Sequence, residues 1–78
     1  MADQTVKTLM SLAAKKFGKA ESVLNPKDDF FEVLGIDSLQ AMDLLTQLED
    51  EFDVEVPDYE LQGVKTFEEL AEVIRRRL

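Results

Sequence analysis

Ser38 is the residue of this chain whose type and position most clearly indicate a chemical role for a hydroxyl group. It lies in the run Leu34-Gly35-Ile36-Asp37-Ser38-Leu39, at the start of a long amphipathic segment. A serine becomes a nucleophile when a neighbouring base takes its proton, yet the chain contains neither histidine nor cysteine. Chemistry at Ser38 must therefore be installed by a separate enzyme, which indicates a carrier rather than a catalyst.

Ser38 also has a purely structural interpretation, because serine and aspartate at a helix start are commonly N-caps. Asp37 followed by Gln40 has the form of a capping box, with aspartate in place of serine or threonine. In either case Ser38 falls in the first helical turn, where backbone N–H groups lack partners and the helix dipole is positive. A phosphodiester on Ser38 would be stabilised there.

An apolar pair lies beside Ser38 on the outer side of the same predicted helix. Leu39 and Met42 fall outside the inward stripe when residues are placed about 100° apart around the helix axis. They share the outer surface with Asp43, Glu49 and Asp50. Methionine adapts to varied surfaces, so the pattern predicts a docking surface for other proteins.

The charge of the chain is strongly acidic and unevenly placed. The formal net charge is −8, and twelve acidic residues but no basic residue lie between Lys27 and Lys65. Such a surface repels nucleic acid and anionic lipid and attracts basic protein patches. Solvated acidic faces that aid solubility are the alternative explanation.

Composition excludes several other classes of protein. Seventy-eight residues make one small domain, predicted over 1–78. Without histidine or cysteine, zinc sites built on imidazole or thiolate cannot form. No apolar run reaches the ~20 residues of a membrane span, and the start at Met1-Ala2-Asp3-Gln4 lacks the features of a secretory signal. We expect a cytoplasmic monomer.

The acidic stretch from Glu49 to Glu60 raises the alternative of a calcium-binding loop. It lacks the glycine and the regular oxygen spacing of an EF-hand loop, and Pro57 interrupts it. No metal site is predicted.

Apolar periodicity predicts an all-α fold, a small four-helix bundle of three longer helices and one short one. The long helices are expected at 4–17, before Gly18, at 38–52, and from the Thr66–Glu69 capping box onward. The short third helix is placed at 57–61, and a further helical turn at 29–34 within the loop. The inward residues are expected to be Val6, Leu9, Met10, Ala13 and Phe17, then Ala41, Leu44, Leu45, Leu48 and Phe52, then Phe67, Leu70, Ala71, Ile74 and Leu78.

The segment from Phe30 to Leu39 resembles the phosphopantetheine attachment segment of acyl carrier proteins. The resemblance continues through Asp43-Leu44-Leu45 and through the run from Leu48 to Asp58. A Gly-x-Asp-Ser-Leu motif alone is only moderately specific. Joined to the acidic helix and the Phe-Asp-x-Glu-x-Pro-Asp tail, it identifies the chain as a member of that family over nearly its whole length.

The resemblance implies that an external phosphopantetheinyl transferase moves 4′-phosphopantetheine from coenzyme A onto Ser38. Acyl groups would then be carried as thioesters to acyl-loading, acyl-transfer or synthase enzymes that have basic patches. The implied docking residues are Asp37, Leu39, Met42, Asp43, Glu49 and Asp50, with Val56 and Tyr59 extending the face. Leu48, Val64 and Phe67 would line an acyl shelter or simply pack in the core.

Several residues depart from the commonest pattern of the family and leave the pathway open. Gln40 replaces an acid frequent in carriers of primary fatty-acid synthesis, and the Phe30-Phe31 pair resembles carriers of peptide and polyketide systems. Asp37 stands where peptidyl carriers often have histidine, which favours an acyl cargo for fatty-acid, polyketide or related biosynthesis. The alternatives are an aminoacyl, aryl or D-alanyl carrier, and an acidic helical interaction module without a prosthetic group.

Overall fold

The structure, a computed structural model, describes residues 4–78 and is all-α, as predicted. Residues 1–3 lie outside the described residues. The predictions of a domain over 1–78 and of a start without a secretory signal therefore stay predictions for those three residues. The helices are α1 (Gln4–Phe17), α2 (Phe30–Leu34), α3 (Ser38–Phe52) and α4 (Phe67–Arg75), with two short 3-10 helices at Glu21–Val23 and Asp58–Leu61.

Helix α1 has the predicted bounds and packs against both α3 and α4. Its residues Leu9, Met10 and Ala13 are buried, whereas Val6 and Phe17 lie half-buried at the edge of the core. Among residues 4–78 the core contains seventeen buried apolar residues, and the largest that are fully buried are Phe67, Leu9, Leu44, Leu48 and Ile74.

Helix α3 also has the predicted bounds, and the predicted capping box is present at its start. The N–H of Gln40 donates to Asp37 Oδ1 at 2.9 Å, and the N–H of Asp37 donates to Gln40 Oε1 at 3.2 Å. The helix ends at Phe52, and its C-cap residue Asp53 adopts the left-handed conformation with φ 55° and ψ 50°. Of the predicted inward stripe, three leucines are buried and the two end residues, Ala41 and Phe52, are half-buried.

Helix α4 begins with the predicted capping box of Thr66 and Glu69 but ends at Arg75. The prediction that Leu78 is buried is wrong, since its side chain is 67% exposed. Beyond Arg75 the N–H of Leu78 bonds to the Arg75 carbonyl oxygen at 3.2 Å. This turn leaves the helical register, so the spacing of four from Ile74 no longer brings Leu78 onto the core.

The predicted turn within the long loop is present as α2, and it is tied to the start of α4. The N–H of Phe30 donates to the Lys65 carbonyl at 2.8 Å, and the N–H of Glu68 donates to the Pro26 carbonyl at 2.8 Å. The chain then leaves α2 through Gly35, whose φ of 66° lies in the left-handed region that glycine adopts without a Cβ clash. This turn directs the chain into α3 and so determines where Ser38 lies.

Candidate functional site around Ser38

Ser38 is the first residue of α3 and is exposed to solvent. The N-cap is Asp37, whose side chain satisfies the Gln40 amide, so the helix does not require the Ser38 hydroxyl as its cap. The structural interpretation of Ser38 as the N-cap is therefore wrong. An exposed hydroxyl that the fold does not use is available to a modifying enzyme.

The helix start around Ser38 provides a favourable setting for an anion. The N–H of Ala41 bonds to the Asp37 carbonyl at 3.0 Å and that of Gln40 to the Asp37 carboxylate. The N–H groups of Ser38 and Leu39 come earlier in the turn, where an α-helix offers no acceptor of its own. A phosphodiester on Ser38 would lie against these donors and the positive end of the helix dipole. The residues present therefore fit a phosphopantetheine arm.

An apolar cavity of about 200 Å³ opens beside Ser38. Apart from Ser38, its lining is apolar and comes from α2, α3, α4 and the segment around the second 3-10 helix: Phe30, Phe31, Ala41, Met42, Leu44, Leu45, Leu61, Val64 and Leu70. A cavity of ~150 Å³ lined by apolar side chains is large enough to bind benzene. The space beside Ser38 can therefore take a short apolar group.

The three residues expected as possible cavity liners divide into two groups. Val64 lines the cavity. Leu48 and Phe67 do not line it; each is 0% exposed and packs elsewhere in the core. The ring of Phe67 lies 5.9 Å from the ring of Phe30, which itself forms part of the cavity wall. Phe67 thus supports the wall from behind.

The predicted docking residues near Ser38 are largely on the surface. Leu39 is 75% exposed and Met42 is 42% exposed, and Asp37, Asp43 and Asp50 are exposed as well. Met42 also lines the cavity, a second position that the helical periodicity did not reveal. Its side chain therefore lies between the outer surface and the interior.

The remaining three docking predictions have different surroundings. Val56 is only 6% exposed and belongs to the core, because the chain after α3 folds back over the bundle; it has almost no surface to offer a partner. Glu49 is half-buried, and its Oε2 accepts a 2.7 Å hydrogen bond from the Val56 N–H. Tyr59 is 71% exposed on the second 3-10 helix.

Sequence reasoning missed a charged cluster that joins this 3-10 helix to the end of α4. Glu60 Oε2 lies 3.2 Å from Arg77 Nη2, and Glu60 Oε1 lies 4.0 Å from Arg76 Nη1. From the sequence alone, Arg75, Arg76 and Arg77 are expected only to complement the dipole at the end of the last helix. The separation of sixteen or seventeen residues has no periodic signal, so only the tertiary fold reveals the pairing.

Neither a metal site nor a membrane span is found in the part of the chain that the structure describes. No three acidic side chains among residues 4–78 are grouped so that they could hold a metal ion. Across the same range, every helix is too short or too polar to cross a bilayer.

A small helical bundle that presents an unused serine at a helix start, beside an apolar cavity, defines a class of carrier domain. Residues 7–74 match the family described as "Phosphopantetheine attachment site". The curated "Acyl carrier protein" of Chlorobium phaeobacteroides (strain DSM 266 / SMG 266 / 2430) is 28% identical over 74 residues, which cover 95% of each chain. The chain therefore belongs to the phosphopantetheine attachment site family, whose members hold a covalent 4′-phosphopantetheine, and it is similar over nearly its whole length to an acyl carrier protein.

Proposed function

We propose that this protein carries acyl intermediates as thioesters on a 4′-phosphopantetheine arm attached to Ser38. The observation that carries the proposal is the exposed Ser38 hydroxyl at the start of α3. This hydroxyl does not cap the helix, because the side chain of Asp37 does so. The terminal thiol of the arm supplies the sulfur chemistry that a cysteine-free chain lacks. The apolar cavity beside Ser38 offers shelter to a short attached acyl group.

Attachment requires an external phosphopantetheinyl transferase. The Ser38 oxygen bonds to the phosphorus nearer the pantetheine in coenzyme A, and the bond from that phosphorus to the bridging diphosphate oxygen breaks. The nucleotide bisphosphate leaves, and the hydroxyl proton passes to a base of the transferase. This chain contributes the hydroxyl, and the first-turn N–H groups of α3 stabilise the phosphodiester that is formed.

The surface proposed to meet partner enzymes surrounds Ser38. It comprises Asp37, Leu39, Met42, Asp43 and Asp50, with Glu49 at its half-buried edge and Tyr59 on the adjoining 3-10 helix. Val56 is not part of it. Exposed acidic groups speed encounter with basic patches, and this attraction weakens with salt over a Debye length of ~8–10 Å. The proposed partners are the transferase and the acyl-loading, acyl-transfer and synthase enzymes, met by a cytoplasmic monomer.

Mass spectrometry of the intact protein tests the attachment. The unmodified chain is incubated with coenzyme A and a broad-specificity phosphopantetheinyl transferase. We expect a gain of one phosphopantetheinyl unit that is lost in Ser38→Ala and retained in Ser22→Ala, a control at another exposed serine. If the wild type gained nothing, the chain would instead be an acidic interaction module. A gain that persisted in Ser38→Ala would show that the arm is attached to a residue other than Ser38.

The cargo is tested by loading the modified protein with candidate activating enzymes. We propose acyl chains of fatty-acid, polyketide or related biosynthesis, because the cavity beside Ser38 is lined almost entirely by apolar side chains. Efficient loading by an amino-acid or aryl-acid activating enzyme, with none by acyl-loading enzymes, would select the aminoacyl, aryl or D-alanyl carrier instead.

A further inference from the structure

One wall of the cavity belongs to a segment that makes few regular backbone bonds. Leu61 and Val64 line the cavity from the segment 58–64, which contains the second 3-10 helix and the turn after it. The N–H of Glu60 bonds to the Pro57 carbonyl at 3.0 Å, and that of Val64 to the Leu61 carbonyl at 3.1 Å. Both bonds are local, joining residues three apart within 57–64, so they give the segment its shape without attaching it to the helices of the bundle.

The ends of the segment are fixed to the bundle by hydrogen bonds. Before it, the N–H of Val56 donates to Glu49 on α3. After it, the N–H of Lys65 donates to Glu69 Oε1 at 2.9 Å, while the Lys65 carbonyl accepts from Phe30. The segment is therefore a strap, anchored at both ends, whose middle must be held by side chains.

Glu60 supplies a polar contact to the middle of this strap. Its side chain is only 16% exposed, and its carboxylate lies 3.2 Å from Arg77, whose side chain is 33% exposed. Arg76 is a weaker partner, since it is 62% exposed and lies 4.0 Å away. A carboxylate so far removed from water is stabilised by its cation and destabilised without it.

Arg77 pairs with Glu60 immediately before the cavity-lining Leu61. The pKa of Arg77 is raised, first by its side-chain hydrogen bond to Tyr59 and then by Glu60. Tyr59 and Glu60 directly precede the cavity-lining Leu61. One guanidinium therefore holds the part of the strap that leads into the cavity wall.

We propose that the Arg77–Glu60 pair is a latch that determines the length of apolar chain the cavity accepts. With the latch closed, Leu61 and Val64 lie against the bundle and the cavity holds about 200 Å³. A longer chain can enter only if these two side chains move outward, which strains or breaks the pair. Arg77 and Glu60 are thus residues that determine specificity without contacting the apolar ligand. The identity of that ligand as an acyl chain rests on the proposed function.

Amide hydrogen exchange on the unmodified protein tests whether the pair holds the strap. In Arg77→Gln and in Glu60→Gln we expect exchange across 58–64 to accelerate about fivefold, while α1 exchanges as in the wild type. Lys19→Gln, which removes a positive charge from an exposed site after α1, is the charge-matched control and should leave the strap unchanged. The double variant should exchange no faster than either single variant, because both remove one interaction.

Binding of hexanol and decanol to the same unmodified proteins tests the chain-length role. Shifts of the Leu61, Val64 and Leu70 methyl signals report occupancy of the cavity. We expect Arg77→Gln to improve decanol affinity about fivefold relative to hexanol, and Lys19→Gln to leave the ratio unchanged. Unchanged exchange in both strap variants, or an unchanged affinity ratio, would overturn the latch. Neither measurement requires the arm on Ser38, so failure here is distinct from failure of the attachment.

Discussion

The side chain of Glu49 holds the backbone of Val56, seven residues further along the chain, through a 2.7 Å hydrogen bond from the Val56 N–H. The bond fixes the course of the chain after α3 and turns the Val56 side chain into the core. A carboxylate expected to serve only partner enzymes thus also supports the fold.

Glu49→Ala should lower the free energy of unfolding by about 1–3 kcal/mol, because a half-buried N–H loses its acceptor. Asp50→Ala, at the exposed neighbouring position, should change it by no more than about 0.5 kcal/mol. Glu49→Gln keeps an acceptor oxygen, so its free energy of unfolding should lie between those of Glu49→Ala and Asp50→Ala. Urea denaturation of the three variants measures this; equal stabilities for Glu49→Ala and Asp50→Ala would show that the bond contributes nothing.

Leu39 and Met42 should differ in what their substitution changes, because only Met42 lines the cavity. Leu39→Glu should slow modification by the transferase and leave hexanol binding unchanged. Met42→Glu should reduce both, since it brings a carboxylate to an apolar wall. The comparison measures the initial rate of modification and the methyl shifts with hexanol. Hexanol affinity that stayed at the wild-type value in Met42→Glu would contradict the placement of this side chain.

Asp53 ends α3 in a conformation that costs a non-glycine residue energy, and it adds a negative charge where the helix dipole is already negative. Asp53→Gly should therefore raise the free energy of unfolding by about 1 kcal/mol. Asp53→Asn, which removes the charge but keeps a side chain, should yield a smaller gain. Thermal unfolding of the two variants separates strain from charge. A glycine variant no more stable than wild type would argue against both contributions.

Glu69 should titrate below its ordinary pKa of 4.5, because the N–H groups of Lys65 and then Thr66 donate to its carboxylate. A carboxyl group whose pKa is lowered on folding stabilises the protein above its unfolded pKa, and this contribution is lost as pH falls through the folded pKa. Glu69→Gln keeps an acceptor for both N–H groups and removes the titration. NMR titration of the Glu69 carboxyl carbon gives the midpoint; a value at or above 4.5 would exclude the effect.

Much of the fold was predictable because local signals agreed with one another. The apolar period and the Asp37–Gln40 box together specify the start and length of α3, and Gly18 marks the end of α1. The end of α4 was not predictable in this way. The spacing from Ile74 to Leu78 continues the apolar period, whereas the arginines beyond Arg75 make tertiary contacts with Glu60.

The site was predictable in part, for a similar reason. Ser38 is recognisable from residues adjacent to it in sequence, and the exposure of Leu39 follows from helical geometry. The cavity was not predictable, because Phe31, Leu61 and Leu70 converge from three separate elements. Val56 was misplaced because it lies next to the short helix that carries Tyr59, whereas its burial depends on tertiary packing that no local pattern reveals.

The two hydrogen bonds between the α2 region and the start of α4 also bear on when Ser38 can be modified. They join Phe30 to Lys65 and Glu68 to Pro26, so the turn that leads into α3 is completed by residues synthesised long after the serine itself. A nascent chain that ended before Lys65 would hold Ser38 in an unfinished setting. We therefore expect the transferase proposed for Ser38 to modify a chain synthesised through Glu68 faster than one that ends before Lys65.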